Sequence, residues 1–143
     1  MKSKKAVPKD KWVWMPHPAH LCVAQDCRFF LATKVGKYIV STVGEYLPDV
    51  GIREIFAKSR GVKLEGMGDA RRADYMKKIG YEDIGFGRKY ETIVFPASKP
   101  SKSGCKACPY VISSGRDFDM KGYNTAEEAY KGHMALCAKW AKK

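Results

Sequence analysis

The clearest periodicity along the chain is a two-residue one. Arg28 to Val35 reads RFFLATKV and Lys37 to Val43 reads KYIVSTV, both rich in aromatic and β-branched residues, with Gly36 between them. These runs predict a β-hairpin whose tight turn uses the permissive backbone of the glycine. Tyr90 to Phe95 alternates Tyr, Thr and Val with Glu, Ile and Phe, predicting a further strand that joins the hairpin in a small sheet. Between them the period lengthens. Ile52, Ile55 and Phe56 recur at i, i+3 and i+4 and predict a short helix ending before Gly61. Asp69 stands where it can cap a second helix over Ala70 to Ile79, with Gly80 placed to end it. A third helix begins at Thr125-Ala126-Glu127-Glu128, a Thr N-cap with Glu three residues on. Its inward stripe is Ala129, His133, Leu136, Cys137 and Trp140, and Lys139, Lys142 and Lys143 suit the negative end of its dipole.

Together these elements describe a small α+β protein: a short antiparallel sheet with two or three helices and one or two zinc-binding modules. Residues 1–11 carry five lysines against one Asp and no apolar period, which reads as a basic disordered arm. Residues 12–96 form the α+β core, entered through Trp12, Val13 and Trp14 before Pro16 and Pro18 break regular pairing. The Pro-, Ser- and Lys-rich stretch 96–103 marks a linker, and 104–143 forms a zinc module ending in the third helix.

Charge adds a partner class to this outline. The net charge is +12 over 143 residues, and such a surface attracts polyanions, of which nucleic acid is the usual one. Candidate phosphate contacts are Lys4 and Lys5 on the arm, Arg71, Arg72, Lys77 and Lys78 on the second helix, and Arg88 and Lys89 before the last predicted strand. An ordinary solvated basic face is the competing reading, and Asp74 locally offsets the second helix. No apolar run is long enough to span a membrane, and Met1-Lys2-Ser3-Lys4-Lys5 leads into Pro and Trp, so a cytoplasmic protein is expected.

The chemistry-bearing residues fall in two groups. Cys105 and Cys108 stand as C-x2-C, and His133 and Cys137 follow after twenty-four residues as H-x3-C on one helix face. Two thiolates on a tight knuckle plus a His and a Cys one turn apart can complete a tetrahedral zinc site. His17, His20, Cys22 and Cys27 lie within eleven residues and complete the set of three histidines and five cysteines, enough for a second site. The competing reading makes them buried reduced cysteines and core histidines. An odd number of cysteines at metal-type spacings favours a reducing compartment over a disulfide scaffold.

Catalytic motifs are few. The zinc-deaminase H-x-E with P-C-x-x-C and the metalloprotease H-E-x-x-H do not occur, and Gly85-Phe86-Gly87 lacks the frame of a phosphate loop. Glu45, Asp49, Glu54 and Glu91 are the carboxylates available to a divalent ion for phosphodiester cleavage, at no recognised nuclease spacing.

On these residues, Cys105 to Lys143 resembles a Cys-Cys-His-Cys zinc finger in the broad sense. Its ligand interval is longer than the roughly twelve residues of a DNA-reading finger, which argues against groove reading by the helix. His20-Leu21-Cys22 through Cys27-Arg28-Phe29, Tyr38 to Glu45 and Arg88 to Thr92 are similar to small uncharacterised proteins encoded by bacteriophages and prophages. That resemblance implies an accessory protein in a host cytoplasm. The functional expectation is a zinc-binding basic protein that holds nucleic acid mainly through phosphates. An inhibitor-like protein binding a host protein and a metal-dependent nuclease are the alternatives.

Overall fold

A computed structural model describes residues 6–16, 26–84, 87–97 and 118–143. Its framework is an antiparallel sheet of five strands in sequential order: β1 (Val13–Trp14), β2 (Cys27–Val35), β3 (Tyr38–Tyr46), β4 (Tyr90–Pro96) and β5 (Asp119–Tyr123). Three helices accompany it among the described residues: α1 (Val50–Ser59), α2 (Asp69–Lys78) and α3 (Ala126–Trp140). The protein is therefore a small α+β fold.

The hairpin of β2 and β3 turns at Gly36, whose φ of +61° is the left-handed geometry that glycine adopts without a Cβ penalty. Val35 pairs with Tyr38 at the turn and Cys27 with Tyr46 at the far end. Helix α3 lies across one face of the sheet. It starts where the sequence predicts, with the Thr125 hydroxyl accepting from the Glu128 amide at 3.1 Å. Its buried residues are Ala129, His133, Leu136 and Cys137, and Trp140 is half-buried. These pack with Val35, Val40 and Val94 at one end and with Tyr90 and Tyr123 at the other.

Helices α1 and α2 form a separate apolar cluster beyond the end of β3, around Leu47, Ala57, Leu64 and Tyr75. Glu82 ties this pair back to the sheet. Its backbone bridges Tyr46, and its buried carboxylate accepts from Tyr75 and, at 2.5 and 2.6 Å, from Arg60. The start of α2 differs from expectation by one residue. Gly68, at φ +56°, occupies the N-cap, and Asp69 lies inside the first turn, where its charge suits the dipole without capping.

Two other differences concern the chain ends. The arm expected to be disordered over 1–11 is held from residue 7 onward. The Val7 amide donates to the Ala141 carbonyl at 2.7 Å, the Trp12 indole donates to the Val7 carbonyl at 3.1 Å, and Lys9–Lys11 form one 3-10 turn. The described part of the expected C-terminal module, 118–143, supplies the sheet's fifth strand and its covering helix. Among the described residues no helix is long and apolar enough to cross a membrane.

Candidate functional site

Two places in the fold concentrate chemistry. The first is beneath α3, where Thr33, Thr42 and Thr92 project from three adjacent strands toward the helix and are fully buried. His133 drops between them. Its Nε2 lies 2.8 Å from the Thr33 hydroxyl and its Nδ1 2.7 Å from that of Thr42, which is itself 2.6 Å from Thr92. Trp14 stacks on the imidazole, with ring centroids 5.7 Å apart and planes inclined by 26°. Burial pushes the His133 pKa down to about 4, so the ring is neutral at pH 7. One turn on, burial raises the Cys137 thiol to about 12, a value that a bond with Thr33 pulls slightly back.

The i,i+4 pair His133 and Cys137 thus shares the buried side of α3, as the sequence predicts. Both imidazole nitrogens are engaged by threonines, so in this conformation His133 is a hydrogen-bonded core residue. To ligate a metal it would have to leave Thr33 or Thr42. Cys105 and Cys108 lie outside the described residues, as do His17, His20 and Cys22. Cys27 opens β2, half-buried, its thiol raised to about 12 by burial and then by the charges of Asp26 and Glu91. Among the described residues no three His, Cys, Asp or Glu side chains converge on one point. Asp49 caps α1 through the Ile52 amide at 3.2 Å, and Glu54 holds Arg71, so both carboxylates already have structural partners.

The second place is the end of the sheet carrying the β2–β3 turn. Three segments far apart in sequence meet there. Val7 bonds Ala141 and lies against Gly36, where an added Cβ would come within 3.1 Å of the valine side chain. The charged side chains carried by 7–11, 34–38 and 139–143 are Lys9, Lys11, Lys34, Lys37, Lys139, Lys142 and Lys143, against a single carboxylate, Asp10. Lys34 donates to the Gly36 carbonyl at 2.8 Å, and Lys139 pairs with Asp119 on β5 at 2.8 Å. That contact, from Lys139 first, holds the Asp119 carboxyl below its ordinary range. Lys9, Lys11, Lys37 and Lys142 are exposed and have no ion-pair partner among the described residues.

Aromatic rings sit among these lysines. Trp140 packs against Tyr38 at 4.7 Å and Phe118 at 5.6 Å between centroids, and Phe118 meets Tyr38 at 5.3 Å. Lys139 and Lys143 each place Nζ 5.9 Å from the Trp140 ring. Sequence reasoning noted the lysines of 1–11 and of 139–143 separately and missed the cluster because nothing local shows that they meet the hairpin turn. Only the fold adds Lys37 to Lys142.

Three of the cations that the sequence does single out are held by carboxylates. Arg71 is bound by both Glu54 oxygens and donates to the Leu64 carbonyl at 2.9 Å. Lys78 pairs with Asp74 at 2.9 Å, and Lys89 with Asp83 at 3.4 Å while donating to the Tyr81 carbonyl. Arg72, Lys77 and Arg88 are exposed, with no ion-pair partner among the described residues. Lys4 and Lys5 lie outside the described residues. Comparison with protein-family models, with curated proteins and with solved structures gives no match for this chain.

Proposed function

We propose that this chain binds nucleic acid through phosphate contacts, and that the contact surface is the lysine-rich end of the sheet. The observation that carries the reading is the convergence of 7–11, 34–38 and 139–143, which puts Lys9, Lys11, Lys37 and Lys142 on one end without ion-pair partners among the described residues. Unpaired lysines release condensed counterions when they meet phosphates, whereas Arg71, Lys78 and Lys89 would first have to leave their carboxylates. Lys4 and Lys5, which precede Val7 in the chain, lie outside the described residues. The test is oligonucleotide binding across a salt series. Four phosphate contacts predict a slope of log K against log salt of about −3 to −4. A slope near zero, or no binding at low salt, would reject the reading.

Zinc is the second element of the proposal. It rests on the C-x2-C of Cys105 and Cys108 and on His133 and Cys137 sharing the buried side of α3. The ion would hold the C-terminal segment onto the sheet. Coordination would cost His133 one threonine bond and require a Cys137 thiol that burial keeps protonated. Elemental analysis of protein purified without added metal tests it. One zinc lost in Cys108→Ala supports the site, and metal-free protein removes it.

A protein-binding reading is favoured by one specific observation. Helix α1 exposes Ile52 and Ile55 on one side, the latter at 64%, beside Lys58 and Lys63, which have no ion-pair partner among the described residues. An apolar helix face with a basic rim suits an acidic protein segment. Co-purification of one acidic protein, lost in Ile55→Glu and retained in Lys37→Ala/Lys142→Ala, would support it.

A further inference from the structure

We infer that the nucleic acid taken at this end is single-stranded, with an unpaired base stacking on Phe118 while the neighbouring lysines hold its phosphates. The inference rests on the proposed nucleic-acid surface and specifies its ligand. Phe118 immediately precedes β5 and is fixed there by its amide, which donates to the Val94 carbonyl at 2.9 Å. The residue is 43% exposed, although its ring belongs to a packed group with Tyr38 and Trp140. Contact with those two rings, one T-shaped and one tilted, restrains the part-exposed aromatic side chain, so less entropy is lost in ordering it on binding.

Duplex DNA offers an aromatic platform no free base face, because its bases are stacked on one another and only their edges are open in the grooves. A single strand offers both a free π-face and a flexible backbone that can follow scattered lysines. The cations stand close to the rings. Lys143 lies over Trp140 and Lys37 adjoins Tyr38 in the chain, while Lys139, also over Trp140, is held by Asp119. Interleaved cations and aromatic platforms of this kind bind strands with little regard to sequence. The trio Tyr38, Phe118 and Trp140 is assembled from three elements, so the platform exists only in the folded protein.

The experiment is fluorescence anisotropy of the full chain with a labelled oligo(dT) of about twenty nucleotides and with a duplex of equal length, at matched salt. Tryptophan emission, to which Trp12, Trp14 and Trp140 all contribute, is read in parallel. The expected result is at least tenfold preference for the single strand with quenched tryptophan emission. Phe118→Ala should weaken single-strand binding about tenfold or more while leaving the salt slope unchanged, and Phe118→Trp should restore it. Lys37→Ala/Lys142→Ala should instead flatten the slope by about 1 to 2 for either ligand. Thermal melting of each variant identifies a loss of fold, and the tryptophan variant decides the matter if the alanine variant melts early. Equal or tighter duplex binding with a steep salt slope, or a Phe118→Trp protein no better than Phe118→Ala, would overturn the single-strand inference and leave the phosphate reading standing. Absence of binding to both ligands at low salt would overturn both.

Discussion

The buried imidazole beneath α3 makes a quantitative demand on the pH dependence of stability. In the unfolded chain His133 takes its ordinary pKa of 6.5, and in the folded metal-free protein burial lowers it to about 4. The unfolded state therefore binds the proton first. The contribution of the neutral ring is fully present above pH 6.5 and is lost as the pH falls from there toward 4. At about 1.4 kcal/mol per pKa unit, two and a half units of separation give a loss of about 2.5 kcal/mol between roughly pH 7.5 and 4.5. For a chain of this length that is a fall of about 5–10 °C in melting temperature. Glu54, Asp74 and Asp119 also have lowered pKa values, from Arg71, the Glu65 amide and Lys139 respectively. Their contributions stand above the ordinary carboxylate values of 4.5 and 3.8 and are lost below them, so they barely enter this window. The assay is calorimetric or circular-dichroism melting of EDTA-treated protein across the range, beside His133→Gln. The difference between the two curves removes the contributions of His17 and His20. Parallel curves, or an imidazole proton resonance of His133 titrating between pH 6 and 7, would refute the assignment of a buried neutral ring.

Other consequences are as direct. Gly132 lies under the Tyr123 ring, and a Cβ there would meet ring atoms at 2.1 Å, so Gly132→Ala should destabilise by about 1–3 kcal/mol in urea melts despite alanine's better helix propensity. Loss of the buried Glu82 charge should loosen α1 and α2 selectively. Glu82→Leu is expected to cost about 3 kcal/mol, leaving Tyr75 without its acceptor, and to raise amide exchange in 50–78 first. Cys137, fully buried with its thiol raised to about 12, should react with a disulfide reagent only on unfolding; rapid labelling in native protein would contradict its place under α3.

The sequence carries the sheet's centre and the helices because their signals are local. Gly36 between two β-branched runs, the Thr125 cap and the Ala129-His133-Leu136-Cys137 stripe each specify their element within about ten residues. β5 was illegible for the opposite reason. DMKGY has no apolar alternation, only Tyr123 of the five is buried, and its pairing depends on β4, already in place. The candidate site shows the same division. The i,i+4 relation of His133 and Cys137 is plain in the sequence, but the threonines that occupy the imidazole lie 91 and 100 residues away along the chain. The lysine-rich end is likewise invisible, since Lys37 and Lys142 meet only through a hairpin turn and a helix terminus. The Arg71–Lys78 segment looks more basic on paper because its partner Glu54 belongs to another helix.

The most direct test of where nucleic acid is held is a heteronuclear correlation spectrum of labelled protein titrated with a short oligonucleotide at low salt. Shifts confined to 7–11, 34–38 and 118–119, the last turn of α3 and the indole of Trp140 are predicted. Shifts concentrated on Arg72, Lys77 and the rest of α2, or no shifts at all, would contradict the account.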